Sequence, residues 1–296
     1  MKELKPIILP EHYNYAAFFL TLACNLTCSY CINRFGEDGF VKKRLTGKEV
    51  AAGINRIVSR NDLPITLQGG EPSIHKDFIY IVNNIKPELN IDILTNLQFD
   101  VDEFMKNVPP DRVKRNSPYA SIRVSYHPQV MELEPLMKKV LKMQHAGYSI
   151  GIWSVLHPSQ EQIVRDAQIR CQDAGIDFRF KEFLGEHEGK LHGTYRYDGA
   201  CEKKFMKTVM CKTTELIIGS DGSVYRCHSD LYEGRPSVGN IIDPAFELED
   251  IWRPCDAFGH CNPCDIKVKT NRFQTYGHTS VEIEEIQAHR GAQVRA

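Results

Sequence analysis

Six short apolar runs, interleaved with segments of helical period, constrain this chain more than any other feature. They read AAFFLTL (16–22), PITLQ (64–68), IDILT (91–95), SIRVSY (121–126), SIGIWSVL (149–156) and DFRFKEF (177–183). Each is rich in Val, Ile or Phe and ends in turn-forming residues, the pattern of a buried strand. Between them, Thr46 and Glu49 predict a capping box ahead of VAAGINRIV, and Ser159 and Gln162 predict a second ahead of IVRDAQIRCQDAG. Gly147 and Gly175 fall where helices should end. Six βα units in succession call for parallel strands with right-handed crossovers. In such sheets functional residues gather at the C-terminal strand ends. Here those ends read ACNLTC, GGEP, TNLQ, SYHP, LHP and LG.

Beyond residue 185 the alternation stops. EHEGKLH (186–192) lacks the H-E-x-x-H spacing of a zinc protease and reads as a solvated loop. TELIIGSDGSVYRC predicts a hairpin turning at Ser220-Asp221-Gly222, followed by SVGNI (237–241) and the segment CDAFGHCNPC. The end, EIEEIQAHRGAQVRA, reads as a short helix and a polar tail. The expected fold is α/β: a partial (β/α)6 TIM-type barrel over residues 1–200, with a small C-terminal β-hairpin and Cys-rich unit over 201–296.

Charge narrows the partners. Lys plus Arg total 37 against 38 Asp plus Glu, a net charge of −1, which gives no pull toward nucleic acid or an acidic membrane. The chain has no run of 18 apolar residues and no signal-peptide pattern at its start. A cytoplasmic location is therefore expected, and there ten cysteines read as metal ligands before disulfides.

Cys24, Cys28 and Cys31 lie in TLACNLTCSYCINR at the end of the first strand. Three thiolates on one tight loop can hold three corners of an iron–sulfur cube and leave one iron open. Structural zinc wants four closed ligands, and Asn25 and Asn33 are poor substitutes. The C-x3-C-x2-C spacing with aromatic Tyr30, together with Gly69-Gly70-Glu71-Pro72 at the second strand end, resembles the radical S-adenosylmethionine (radical SAM) superfamily. That resemblance runs from Phe18 to Leu184. It implies a 4Fe-4S cluster on Cys24, Cys28 and Cys31, its open iron chelated by the amino and carboxylate groups of SAM. By the same likeness Tyr30 lies near the adenine, and the backbone of Gly69 and Gly70 with the Glu71 carboxylate receives the SAM ammonium. Taken alone, GGEP is an ordinary turn. Asn96 and Ser125, at the third and fourth strand ends, suit ribose or carboxylate contacts, or simple strand-end capping.

A second cysteine set follows. Cys211, Gly222 and Cys227 are spaced C-x10-G-x4-C across the hairpin, and Cys261-Asn262-Pro263-Cys264 comes later, preceded by Cys255. Two thiols from a hairpin and two from a C-x2-C turn make a closed cage for zinc or for iron. Behind a barrel of this kind the pattern looks like the twitch domain, the short form of the SPASM extension. This likeness implies a second, auxiliary 4Fe-4S cluster on Cys211, Cys227, Cys261 and Cys264, with Cys255 in excess or replacing Cys261. Full SPASM has further cysteines that this chain lacks. Cys255 or Cys201 could instead donate a hydrogen atom to a substrate radical, while Cys171 sits at core spacing on its helix.

His127 and His157 each precede a proline at a strand end, an extended geometry that can aim a side chain over the barrel mouth. Either is a candidate general base or hydrogen-bond donor, or else a loop histidine. Arg123, Lys181 and Glu182 sit on strands where one face should reach the lumen. The resemblance implies reductive cleavage of SAM and hydrogen abstraction from a substrate. The reaction expected is oxidation or epimerisation of an alcohol carbon on a small polar, sugar- or cyclitol-like molecule. A flavodoxin or ferredoxin would supply electrons. A peptide-modifying maturase is the alternative enzyme, although the roughly fifteen residues before the first strand leave no room for a leader-binding domain. A zinc-stabilised binding module without redox chemistry is the alternative outside catalysis.

Overall fold

The six expected strands are present: β1 (Tyr15–Thr21), β2 (Ile65–Gly69), β3 (Ile91–Thr95), β4 (Ile122–Tyr126), β5 (Ile150–Leu156) and β6 (Phe178–Glu182). The computed structural model describes residues 4–33, 44–269 and 277–286. Each strand pairs in parallel with the next. Helices α1 (Gly47–Asn55), α2 (Phe78–Asn84), α3 (Val101–Asn107), α4 (Leu133–His145) and α5 (Glu161–Asp173) make the crossovers. This is the α/β partial barrel expected. In α4 the buried residues are Leu133, Leu136, Met137, Val140 and Met143, one helical stripe laid on the sheet. In α5 they are Val164, Ala167 and Cys171, so Cys171 is a core residue.

Local chemistry explains the helix ends. At α1 both halves of the capping box form: the Thr46 N–H donates to Glu49 Oε2 at 2.8 Å, and the Glu49 N–H donates to Thr46 Oγ1 at 3.4 Å. Gly147 and Gly175 have φ of 92° and 77°, the left-handed C-terminal position expected of them. The second capping box does not form. Pro158 sends the chain into a 3-10 turn, Pro158–Gln160, and His157 caps that turn through its ring. Helix α5 then begins without a side-chain cap, and Gln162 bonds Asp166 instead.

The chain past 185 is more ordered than its composition suggests. The segment read as a solvated loop is a hairpin, β7 (Gly185–His187) with β8 (Lys190–His192), turning at Glu188 and Gly189 with φ of 51° and 74°. Two left-handed residues are what a tight two-residue hairpin requires. Next come β9 (Lys207–Thr213), β10 (Glu215–Ile218), β11 (Ser223–Tyr225), α6 (His228–Tyr232), β12 (Gly239–Asn240), β13 (Arg253–Phe258), α7 (Pro263–Ile266) and β14 (Val281–Glu285). The helix expected from residue 282 is strand β14, paired antiparallel with β9. The tail beyond it lies outside the described residues.

The predicted hairpin, β10–β11, forms, and its first strand lies parallel to β1. One nine-stranded sheet results, in the order β12-β11-β10-β1-β2-β3-β4-β5-β6. Leu216, Ile218, Val224, Ile241 and Phe246 pack into the barrel core. A separate small core joins Ala200, Val209, Phe258, Ile266 and Val281, with Cys201, Cys211, Cys227, Cys255 and Cys261 against it. Arg56, at the end of α1, ties the C-terminal half to the barrel. Its guanidinium donates to the carbonyls of Lys5 (2.6 Å), Ile241 (2.8 Å), Asp243 (2.8 Å) and Phe246 (3.1 Å). Among the described residues no helix is long and apolar enough to cross a membrane.

Candidate active site

Leaving β1, the chain runs tightly along the end of β2. The Gly70 N–H donates to the Thr21 carbonyl at 3.0 Å and the Glu71 N–H to the Ala23 carbonyl at 2.9 Å. A Cβ added at Gly69 would lie 2.1 Å from the Thr21 oxygen, and one at Gly70 would lie 2.2 Å from the Ala23 oxygen. Both glycines are therefore required by backbone meeting backbone. That contact presses the cysteine loop onto the strand end. Cys24, Cys28 and Cys31 emerge there and line one side of a cavity of about 780 Å³.

The three thiols are close enough to feel one another. Burial, then the neighbouring Cys31 and Cys24, pushes the Cys28 thiol up to about 12. Burial raises Cys24 as well, against a hydrogen bond to its sulfur from the Leu26 N–H at 3.4 Å. Thiols held neutral in this way become thiolates when a cationic centre binds them. Three cysteine sulfurs on one loop, beside open space, fit the 4Fe-4S group with one iron free.

Glu71 is the hub of the strand ends. Its Oε1 accepts from the Ser73 N–H (3.1 Å), Ser73 Oγ (2.6 Å) and Thr95 Oγ1 (2.7 Å), and its Oε2 accepts from the Asn96 N–H (2.7 Å). It is 1 % exposed, and burial raises its pKa against those four bonds. Most of the carboxylate expected to receive an ammonium is thus engaged in fastening β2 to β3. Pro72 opens the 3-10 turn that Glu71 caps and is absent from the cavity wall. Asn96 caps locally through Oδ1, which accepts from the Gln98 N–H (3.0 Å), while its Nδ2 donates to Asn25 Oδ1 (2.7 Å). Both Asn96 and Ser125 line the cavity, and Asn96 also anchors the cysteine loop.

The two histidines part company. His127 lines the cavity, with its Nδ1 at 3.0 Å from the Tyr30 hydroxyl. Burial, then the charge of Lys181, lowers its pKa to about 4, so the ring is neutral near pH 7. His157 is not on the cavity wall. Its Nδ1 accepts from the Ser159 N–H at 3.2 Å and faces Ser159 Oγ at 2.8 Å. Its ring stacks on Tyr30 at 5.2 Å and meets Phe183 edge-on at 4.5 Å. His157 props the tyrosine that the cavity uses.

Parity sorts the remaining walls. On β4 and just beyond it Arg123, Ser125 and His127 face the cavity, on β5 Trp153 and Val155, and on β6 Arg179 and Lys181. Ile122, Val124, Ile150, Ile152 and Phe178 turn to the core. Sequence reasoning passed over Trp153 and Arg179, although the same period of two carries them. It also passed over His228 and Tyr232 of α6, which close the cavity from the C-terminal side. The buried Asp265 holds that helix: it accepts from His228 N and Nδ1 (2.8 and 2.9 Å) and from Ser229 N and Oγ (2.9 and 2.8 Å).

The second thiol set is gathered differently from the expectation. Cys211, Cys227, Cys255 and Cys261 line one small cavity of about 30 Å³, whereas Cys264 faces the large one. Cys255 belongs here because β13 lies beside β9, with Cys255 opposite Val209. A hydrogen bond with Cys211 lowers the Cys255 pKa to about 6. Among the described residues no group of three His, Cys, Asp or Glu side chains is placed to hold a metal ion, so a centre on these thiols requires the four sulfurs to move. Cys201 stands apart, donating to the Cys261 carbonyl at 3.1 Å.

Residues 18–127 match the family described as Radical SAM superfamily, so the chain carries a radical SAM superfamily domain. The GTP 3′,8-cyclase of Clostridium perfringens is 22% identical over 223 residues, covering 72% of this chain and 66% of the relative. The molybdenum cofactor biosynthesis protein 1 of Drosophila melanogaster is 38% identical over 90 residues, 29% of this chain and 16% of that protein. The chain thus spans less than two thirds of the length of these relatives. Among solved structures, native anSMEcpe with bound AdoMet and Kp18Cys peptide aligns over 80% of this chain and 78% of its own, with TM-score 0.53 and 15% identity. That likeness is one of fold.

Proposed function

We propose that this radical SAM domain belongs to an enzyme that abstracts a hydrogen atom from an alcohol carbon of a small polar substrate. The observation that carries the reading is a shared cavity: Cys24, Cys28 and Cys31 form one side, and His127 with the polar face of β4–β6 forms another. Cys24, Cys28 and Cys31 would hold the 4Fe-4S cluster, and SAM would lie against Tyr30, Gly69 and Gly70, within reach of Asn96 and Ser125. When bound, the cluster supplies the electron that splits SAM into methionine and a 5′-deoxyadenosyl radical.

The chain's own residues do the rest. The cavity walls hold the target carbon in place and exclude water. The neutral His127 accepts the hydrogen bond of the substrate hydroxyl and takes its proton as the second electron leaves, when the oxygen is that of a protonated carbonyl and far more acidic than an imidazolium. For this work the Nδ1–H donates to the Tyr30 hydroxyl oxygen, which leaves the lone pair of Nε2 for the substrate proton. Loss of one further electron completes an oxidation; return of a hydrogen atom to the opposite face from the Cys264 thiol on the cavity wall, with the thiyl radical then reduced by the external donor, would complete an inversion. Cys211, Cys227 and Cys261, with Cys255 or Cys264 as the fourth ligand, would hold an auxiliary cluster able to accept that electron. Where Cys255 is that fourth ligand, it is not the hydrogen donor. A flavodoxin or ferredoxin in the cytoplasm would be the external donor.

The test incubates anaerobically loaded protein with SAM, dithionite and a panel of sugars and cyclitols in deuterated water. The expected result is 5′-deoxyadenosine formation that depends on one substrate class, with a carbonyl product for oxidation or solvent deuterium on carbon for inversion. A panel in which no member raises deoxyadenosine above background contradicts the substrate class. Iron at about eight atoms per chain supports two clusters, and about four removes the second.

A further inference from the structure

We propose that the substrate carries an oxyanion, a phosphate or carboxylate group, seated against Arg179 and Lys181 of β6, beside Trp153. The inference rests on the cavity being the reaction site, as argued above, and adds the substrate's charge.

Arg179 and Lys181 stand two residues apart on one strand, so both side chains leave the same face, and both line the cavity. Trp153 is the register partner of Arg179 on β5, and the guanidinium lies 5.8 Å from its ring centre. Stacking of this kind holds an arginine fork in one plane. Gly151 makes room for it: a Cβ there would come within 3.1 Å of the Trp153 ring and 2.9 Å of the Asp177 carbonyl.

The cavity is rich in cationic side chains, most of them held by carboxylates on or behind its wall. Its walls present five cationic side chains, Arg123, Arg179, Lys181, Lys267 and Lys269, against two carboxylates, Glu71 and Glu182. Glu71 is consumed by the four hydrogen bonds described above. Glu182 accepts from Thr194 Oγ1 at 2.8 Å and pairs with Lys267 at 3.5 Å. Behind the wall, Asp92 pairs with Arg123 (3.2 Å), Asp177 with Arg179 (2.9 Å) and Glu215 with Lys269 (3.6 Å). These pairs fix the cations in place without exhausting them. A guanidinium has five donors, and at Arg179 the bonds to Asp177 use Nε and the bond to the Pro118 carbonyl (2.5 Å) uses Nη2. An oxyanion can take a remaining edge of this fork and the ammonium of Lys181 together. On a sugar- or cyclitol-like substrate, a phosphate or carboxylate would gain charge-assisted hydrogen bonds here that a hydroxyl does not.

The test uses the full, iron-loaded chain under anaerobic conditions with SAM present, titrated calorimetrically with inorganic phosphate and, separately, with acetate. The expected result is binding of at least one anion that weakens as salt is raised, and that falls about tenfold or more in Arg179→Gln and in Lys181→Gln. Lys181→Arg should retain it, which separates lost charge from lost packing. Preference for phosphate points to a phosphoester substrate and preference for acetate to a carboxylate; both support the proposal. Equal affinities in the native chain and the Arg179→Gln/Lys181→Gln double variant overturn it. So does competition between the anion and SAM, which would assign these cations to the SAM carboxylate. If anion binding follows the expected pattern while SAM is never cleaved, the proposed reaction fails and the anion site stands.

Discussion

The carboxylate of Glu71 accepts the main-chain N–H of Asn96 at 2.7 Å, fastening the exit of β2 to the exit of β3. With Thr95 Oγ1 and Ser73 on its other oxygen, this buried side chain sets the rim from which the cysteine loop is presented. Glu71→Gln places an amide donor among groups that are themselves donors. A loss of about 1–3 kcal/mol in denaturant-unfolding stability is expected, together with weaker SAM binding. A variant of native stability that loses only SAM affinity would show that the carboxylate serves the ligand alone.

Gly70→Ala should act through the loop. Its Cβ would meet the Ala23 carbonyl at 2.2 Å, and the backbone of residues 21–23 must move to admit it. We expect a folded protein by circular dichroism whose iron content after reconstitution drops by at least the share bound at Cys24, Cys28 and Cys31. Full iron loading in this variant would show that the close approach is dispensable.

His127 gives the stability a pH dependence of definite sign. Its folded pKa, about 4, lies below the value of about 6.5 expected unfolded. Between those values the unfolded chain binds the proton and the folded one does not, so this contribution is complete above about 6.5 and is lost as pH falls toward about 4. His278, also lowered to about 4 by burial, adds a term of the same sign. Urea midpoints between pH 7 and 4.5 should decline, and the decline should be shallower in His127→Gln. An unchanged slope in that variant would show that His127 titrates normally in the fold.

Much of this was legible in the residues because period and punctuation agreed. The six strands, the Thr46 capping box, Cys171 in the core and the turn at Gly222 each had two local signals pointing the same way. The misreadings came where a local signal met a tertiary one. Val281 and Ile283 alternate with Glu282 and Glu284, a period of two that was visible, yet the Glu-rich composition suggested a helix; pairing with β9 decided it. At residues 185–192 the strands are three residues long, too short to show a period among their charges. Ser159 has the right spacing to cap α5, but Pro158 shapes the entry first. The Arg56 clamp had no sequence signal, since its four carbonyl partners are scattered between residues 5 and 246.

That clamp is testable. Arg56 is 5 % exposed and its guanidinium geometry satisfies four carbonyls at once, which a lysine ammonium at the same place does not. Arg56→Lys should cost about 2–4 kcal/mol and Arg56→Met should cost more, because both leave buried carbonyls without donors. Both should also loosen the segment 241–246 in hydrogen exchange. Native stability in Arg56→Met would contradict the role.

The most direct measurement concerns the three cysteines on the loop after β1. Anaerobically reconstituted protein, given dithionite and SAM, should release 5′-deoxyadenosine and methionine in equal amounts. The Cys24→Ala/Cys28→Ala/Cys31→Ala variant, with its second thiol set intact, should release neither. Deoxyadenosine formed at the native rate by that variant, or none formed by an iron-loaded native chain, would contradict the account.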